Sequence, residues 1–201
     1  MMVKPPARVT GLSMGLGILL AGSAIAAPAR DPSGTWLTED ERARIRVEKC
    51  GPTHEHLCAY VVWMKPAGEG DDVTTKRDVK NPDPKKRNRL ILGHQLMLGL
   101  TLNDDNRYAG KIYNNEDGKS YDVTVWSEQP GTLNVRGCLV AFLCSTQIWT
   151  RTNSVLPGQL AAATGTPGGP TPDPEWAPKP GAAPASAAAP ASRRDQSRPR
   201  P

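Results

Sequence analysis

Between residues 42 and 48 the side chains alternate without a break. Ala43, Ile45 and Val47 are apolar, and Arg42, Arg44, Arg46 and Glu48 are charged. A two-residue period places the apolar set on one face of an extended strand and is incompatible with a helix. The pattern recurs at Tyr121, Val123 and Val125 against Asp122 and Thr124, and at Leu133 and Val135 against Asn134 and Arg136. Residues 34–38, 97–102, 108–113 and 146–151 read as further strands, and 58–64 is a short run apolar on both faces. Turn chemistry separates most of them, at Asn103-Asp104-Asp105-Asn106, Glu116-Asp117-Gly118 and Gln129-Pro130-Gly131. Short turns make neighbouring strands antiparallel. The expected fold is therefore all-β, an up-and-down meander of about eight strands closed into a barrel, since closure removes the two exposed edges. A barrel of that size has room for side chains or for one small ligand.

The strand-forming part is flanked by two segments of other kinds. Lys4 and Arg8 precede a charge-free stretch, 11–25, and Ala24-Ile25-Ala26 offers a small-x-small cleavage site. Residues 1–26 thus read as a secretory signal peptide, and the chain is expected in the periplasm or outside the cell. A membrane anchor is the competing reading. Gly11, Ser13, Gly15, Gly17, Gly22 and Ser23 dilute the apolar stretch below what a spanning helix needs, so no membrane span is expected after cleavage. At the other end, residues 154–201 hold 11 Pro, 11 Ala and 5 Gly, with Trp176 as their one aromatic residue. Such a segment buries little apolar surface to offset its ordering entropy, so a disordered tail is expected. The β-domain occupies 31–153.

Charge and cysteine content narrow the functions. The net charge of +5 does not belong to the domain, because residues 31–153 carry 17 basic and 17 acidic side chains. A nucleic-acid partner is therefore not expected. Four cysteines, Cys50, Cys58, Cys138 and Cys144, read as two disulfides in an exported chain. Of the three pairings, Cys50–Cys58 and Cys138–Cys144 are favoured, because each closes a short loop between neighbouring strands. Cys50, His54, His56 and Cys58 have the spacing of a zinc site, but an oxidising compartment favours the disulfide, and no metal or cofactor is expected.

The long connection from 65 to 90 carries Lys76, Arg77, Lys80, Lys85, Lys86, Arg87 and Arg89. Either it holds an anion, or it is a solvated loop whose arginines pair with acids of the same domain. Asn81-Pro82-Asp83 reads as turn chemistry. A catalytic constellation is not assignable: Glu116-Asp117 is followed by Gly118 and reads as a hairpin turn, and the three histidines sit in no motif. A non-enzymatic binder of a small ligand or anionic envelope component is thus expected. Asn81, Asp83, Arg87 and Arg89, with Tyr113, are its candidate ligand contacts. The alternative is an interaction or scaffold protein working through Arg193, Arg194, Arg198 and Arg200 of the tail.

Several stretches carry a family resemblance. They are Asp31-Pro32-Ser33-Gly34-Thr35-Trp36, Cys50, Cys58, Val61-Val62-Trp63, Asn81-Pro82-Asp83-Pro84, Arg87 and Arg89. The series continues with Gly110-Lys111-Ile112-Tyr113, Glu116-Asp117-Gly118-Lys119, Tyr121, Val135-Arg136-Gly137-Cys138, Cys144 and Trp149-Thr150-Arg151. In this order and spacing the chain resembles the domain of unknown function 2147 family of small exported bacterial proteins. Leu90 and Asn115 depart from its usual prolines, and His54 and His56 are unusual in its cysteine loop. The resemblance implies a lipocalin-like barrel and no established activity. In such barrels a Gly-x-Trp of the first strand, here Gly34 and Trp36, packs beneath an arginine of the last, here Arg151, so that a cation over an indole seals one end.

Overall fold

The computed structural model describes residues 30–177 apart from residue 141. The signal-peptide reading of 1–26, the end of the tail, and Arg193, Arg194, Arg198 and Arg200 lie outside the described residues. Eight strands follow one another: β1 (Gly34–Leu37), β2 (Ala43–Cys50), β3 (His56–Met64), β4 (Gln95–Leu102), β5 (Tyr108–Asn114), β6 (Lys119–Trp126), β7 (Thr132–Val140) and β8 (Leu143–Thr152). Each pairs antiparallel with the next, and β1 pairs with β8, so the expected meander closes into a barrel. Among the described residues no helix is long and apolar enough to cross a membrane.

Closure depends on the facing pair Trp36 and Arg151. The indole is fully buried, and its N–H donates to the Pro32 carbonyl at 2.9 Å. The Arg151 guanidinium lies 4.1 Å from the indole centroid and donates to the carbonyls of Ser33 at 2.8 Å and Pro130 at 2.7 Å. Gly34 is required here. Its φ is +144°, and a Cβ would stand 2.1 Å from an Arg151 nitrogen.

Above this seal the alternating inward residues form one core. Val47, Leu57, Met97, Leu100, Val125 and Leu133 are buried within it. Both expected disulfides are present, Cys50–Cys58 beside the β2–β3 turn and Cys138–Cys144 across β7 and β8. The bond between Cys50 and Cys58 removes both thiolates that the zinc alternative requires.

The expectation of a tail free from residue 154 onward is corrected for its first half. Residues 154–177 run as a strap over the outer face of β2 and β3. Leu160 N–H donates to Val62 O at 2.9 Å, and Thr171 N–H to Gly93 O at 2.9 Å. Arg46 donates to the carbonyls of Ala162 at 2.6 Å and Leu160 at 2.7 Å, and Arg44 to that of Ser154 at 2.6 Å. Leu160 and Trp176 pack against a second apolar cluster of Cys50, Cys58, Tyr60 and Val62. A Pro/Ala-rich composition does not free this strap, because it is held by its backbone carbonyls and a few anchoring side chains, not by a dense apolar face. Arginines placed on a nominally solvent-facing strand face supply the donors.

Two measurements check these packing claims. A double-mutant cycle on Trp36→Ala and Arg151→Ala, by urea denaturation, is expected to show a coupling of roughly 0.5–2 kcal/mol; additivity within about 0.3 kcal/mol would show that the contact does not hold the closure. Trp176→Ala in the full chain is expected to cost roughly 1–3 kcal/mol, below the usual loss for a fully buried Trp because the ring is only part-buried. A tail free of the barrel would make that substitution neutral.

Candidate functional site

One end of the barrel is filled and the other is hollow. The hollow follows from the inward positions of β7 and β8. Leu133, Val135 and Trp149 are bulky and join the core, whereas Gln147, paired with Val135, and Gly137 and Ser145, paired with each other one layer up, are small or polar. The result is a cavity of about 860 Å³, open at its mouth. Ile45, Val61, Leu96, Ile112 and Trp149 form apolar parts of its wall, Tyr113, His94, Ser145 and Gln147 are polar points, and Asp40, Arg42, Lys65, Lys76 and Glu116 bring charge to the lining. A Cβ built on Gly137 meets nothing within 4 Å, which is direct evidence of empty space beside that strand.

The mouth is framed by the β1–β2 turn, the long β3–β4 connection, the β5–β6 turn and the tip of β7–β8. That tip is apolar and exposed at Leu139, Val140, Phe142 and Leu143, with Phe142 at 90%. The Cys138–Cys144 disulfide staples it, and Leu139 and Leu143 also line the cavity.

The expected ligand contacts in the long connection are brought together, but around a residue that sequence reasoning missed. Asp78 is fully buried. It accepts hydrogen bonds from Tyr113 Oη at 2.5 Å, Asn81 Nδ2 at 2.7 Å and Arg89 Nε at 2.9 Å. Burial alone would raise its pKa; these donors outweigh that and hold the carboxyl below its ordinary value. Burial and the Asp78 carboxylate push Tyr113 up to about 12, so the phenol remains a donor. Arg89 also donates to Asp173 of the strap at 3.0 Å, and Lys86 pairs with the same carboxylate at 2.7 Å.

The remaining candidates shape the loop itself. Asp83 N–H donates to Asn81 Oδ1 at 2.9 Å, and the Asp83 carboxylate accepts from Lys85 N–H at 2.9 Å to cap the 3₁₀ turn Pro84–Lys86. Arg87 Nε donates to the Asn81 carbonyl at 2.8 Å. Lys76 pairs with Asp71 at 2.8 Å, Arg77 donates to the Asn88 carbonyl, and Lys80 donates to the Glu116 carbonyl. Much of the basic run is therefore engaged within the protein. Of the five candidate contacts, Tyr113 alone lines the cavity.

Behind Tyr113 stands His94, which had no motif to announce it. Its ring is 3% exposed and meets the Tyr113 ring edge-on at 6.0 Å. Neither ring nitrogen has a hydrogen-bond partner. Burial, and then the nearby Arg89 charge, lower its pKa from 6.5 to about 4.

A family model described as an uncharacterized protein conserved in bacteria, the domain of unknown function 2147 family, matches residues 34–151. No curated protein matches the chain. Among solved structures it is similar to protein HP1028 from the human pathogen Helicobacter pylori, described as belonging to the lipocalin family. The two are 24% identical with a TM-score of 0.51, over 61% of this chain and 84% of that one. The likeness is one of fold.

The His94 environment makes stability depend on pH. Between pH 6.5 and about 4 the unfolded chain takes up a proton that the buried imidazole refuses, so this group's share of stability is lost on acidification through that window. His94→Gln is expected to remove that share. Urea denaturation at several pH values should show the wild type losing more stability than the variant as pH falls; parallel curves would refute the burial argument.

Proposed function

The chain belongs to the domain of unknown function 2147 family of bacterial proteins, and on that premise we propose that it is a binding protein, not an enzyme, whose open barrel end takes one small, largely apolar molecule. The observation that carries this reading is the contrast along the barrel axis. A tightly packed, arginine-sealed floor lies beneath a cavity of about 860 Å³, which is within the range that holds small ligands. Walls of aliphatic side chains and Trp149 suit an apolar body, and the polar and charged groups that share the lining suit an oriented head.

The non-enzymatic reading is supported by the state of the usual reactive groups. All four cysteines are in disulfides, and the imidazole at the cavity is bonded to neither a nucleophile nor an orienting acid. Two disulfides and the signal pattern of residues 1–26 support a place outside the cytoplasm, and with it a ligand drawn from the cell envelope. The anionic-component reading of the long connection loses its support, since much of that basic run is taken up by internal acids and carbonyls.

Filling the hollow tests the proposal. Gly137→Leu places a side chain in empty space without a strained backbone. The wild type is expected to bind an apolar fluorophore such as phenylnaphthylamine saturably, and Gly137→Leu to weaken it at least about tenfold by occluding the cavity. Fluorescence titration measures both. An equal affinity in the variant would place binding elsewhere, and no saturable binding would reject the reading.

A further inference from the structure

Most buried polar side chains of this protein are satisfied by other protein groups. Gln95, fully buried, donates to Met97 O at 3.1 Å and accepts from Asp173 N–H at 2.9 Å. Asp78 takes three donors. His94 breaks this pattern: among the described residues with unpartnered buried side-chain atoms, it is alone in leaving two. A buried imidazole with neither nitrogen engaged costs the desolvation of both. Native structures keep such groups where something else supplies the partner.

The position says what that something meets. His94 lines the cavity together with Ile91, Leu96 and Tyr113. We infer that His94 is the polar anchor of the cavity, and that the ligand is an apolar molecule carrying a neutral hydrogen-bonding head, a hydroxyl above all, which meets the imidazole through a small turn of that side chain, since both ring nitrogens are closed off in this structure. This deepens the proposed binding function and rests on it.

The chemistry around His94 selects the head. A neutral imidazole offers one donor and one acceptor, and a hydroxyl complements either. The nearby charges are already committed to one another: Arg89 to Asp78 and Asp173, and Lys86 to Asp173. A carboxylate head would have to compete with two carboxylates for Arg89. An ammonium head would find the acids already paired. Tyr113 gives its hydroxyl proton to Asp78, so its ring serves as wall and its donor is not free for the ligand.

Two probes of equal size, naphthol and methylnaphthalene substituted at the same ring position, differ only in hydroxyl against methyl. In the full chain labelled with nitrogen-15 histidine, naphthol is expected to move the His94 ring-nitrogen resonances and methylnaphthalene to leave them in place. Both probes are followed to saturation by their own fluorescence. In His94→Phe, the ratio of naphthol to methylnaphthalene affinity is expected to fall about tenfold from its wild-type value. Should both probes bind while the nitrogen resonances stay still, or respond alike, the imidazole holds at most a water and the anchor is refuted, with the cavity reading intact. An unchanged affinity ratio in the variant refutes it equally. Should neither probe bind the wild type, the cavity reading itself falls. The nitrogen signal needs no variant, so a misfolded His94→Phe does not remove the test.

Discussion

The pairing of β1 with β8 turns a ribbon of hairpins into a tube, and the arginine–indole contact inside that pairing gives the tube a floor. Arg151 does more than cover a ring. Its guanidinium reaches the carbonyls of Ser33 and Pro130, which belong to the entry to β1 and to the β6–β7 turn. Three chain segments distant in sequence thus end on one cation. With that end fixed, the filled and hollow halves follow from what each strand places inward at successive levels. Bulky residues stand near the floor, and Gly137, Ser145 and Gln147 stand near the mouth.

A second constraint works from outside. The strap crosses the barrel wall and meets the long connection at Asp173, where Lys86 and Arg89 converge. Arg89 also touches Asp78 and lies over the Tyr113 ring at 5.5 Å. The outer strap, the loop and one wall of the cavity are therefore tied through a single guanidinium. Glycine serves this arrangement at Gly99, whose φ of +63° and missing Cβ let the Trp176 ring lie against β4.

Much of the barrel was legible because strand period and turn chemistry are local signals. The disulfides were legible because short loops between neighbouring strands leave little choice. The strap was half-written in the sequence. Residues 58–64 are apolar on both faces, which an eight-stranded barrel with a wet exterior does not explain. The outward Tyr60 and Val62 needed a cover, and the covering segment was disguised by its Pro/Ala composition. Asp78 was illegible: one of several acids in a basic loop looks like charge balance until burial makes it the centre. His94 was hidden for the opposite reason, since its distinguishing property is the absence of a hydrogen-bond partner. The candidate ligand contacts erred in the same direction. A run of cations advertises itself, whereas a cavity is made by what glycine and serine fail to fill.

The covered outer face of β3 has a consequence for how the chain reaches its fold. Closing the tube joins positions about 115 residues apart in sequence, a contact that exists only after β8 has emerged, and folds rich in such distant contacts form slowly. During that interval, and until the strap itself arrives, β3 presents apolar side chains on both sides at once. A strand in that condition is a template for pairing with another chain. The exposure of β3 therefore belongs to assembly rather than to the finished fold, and it ends with Trp176.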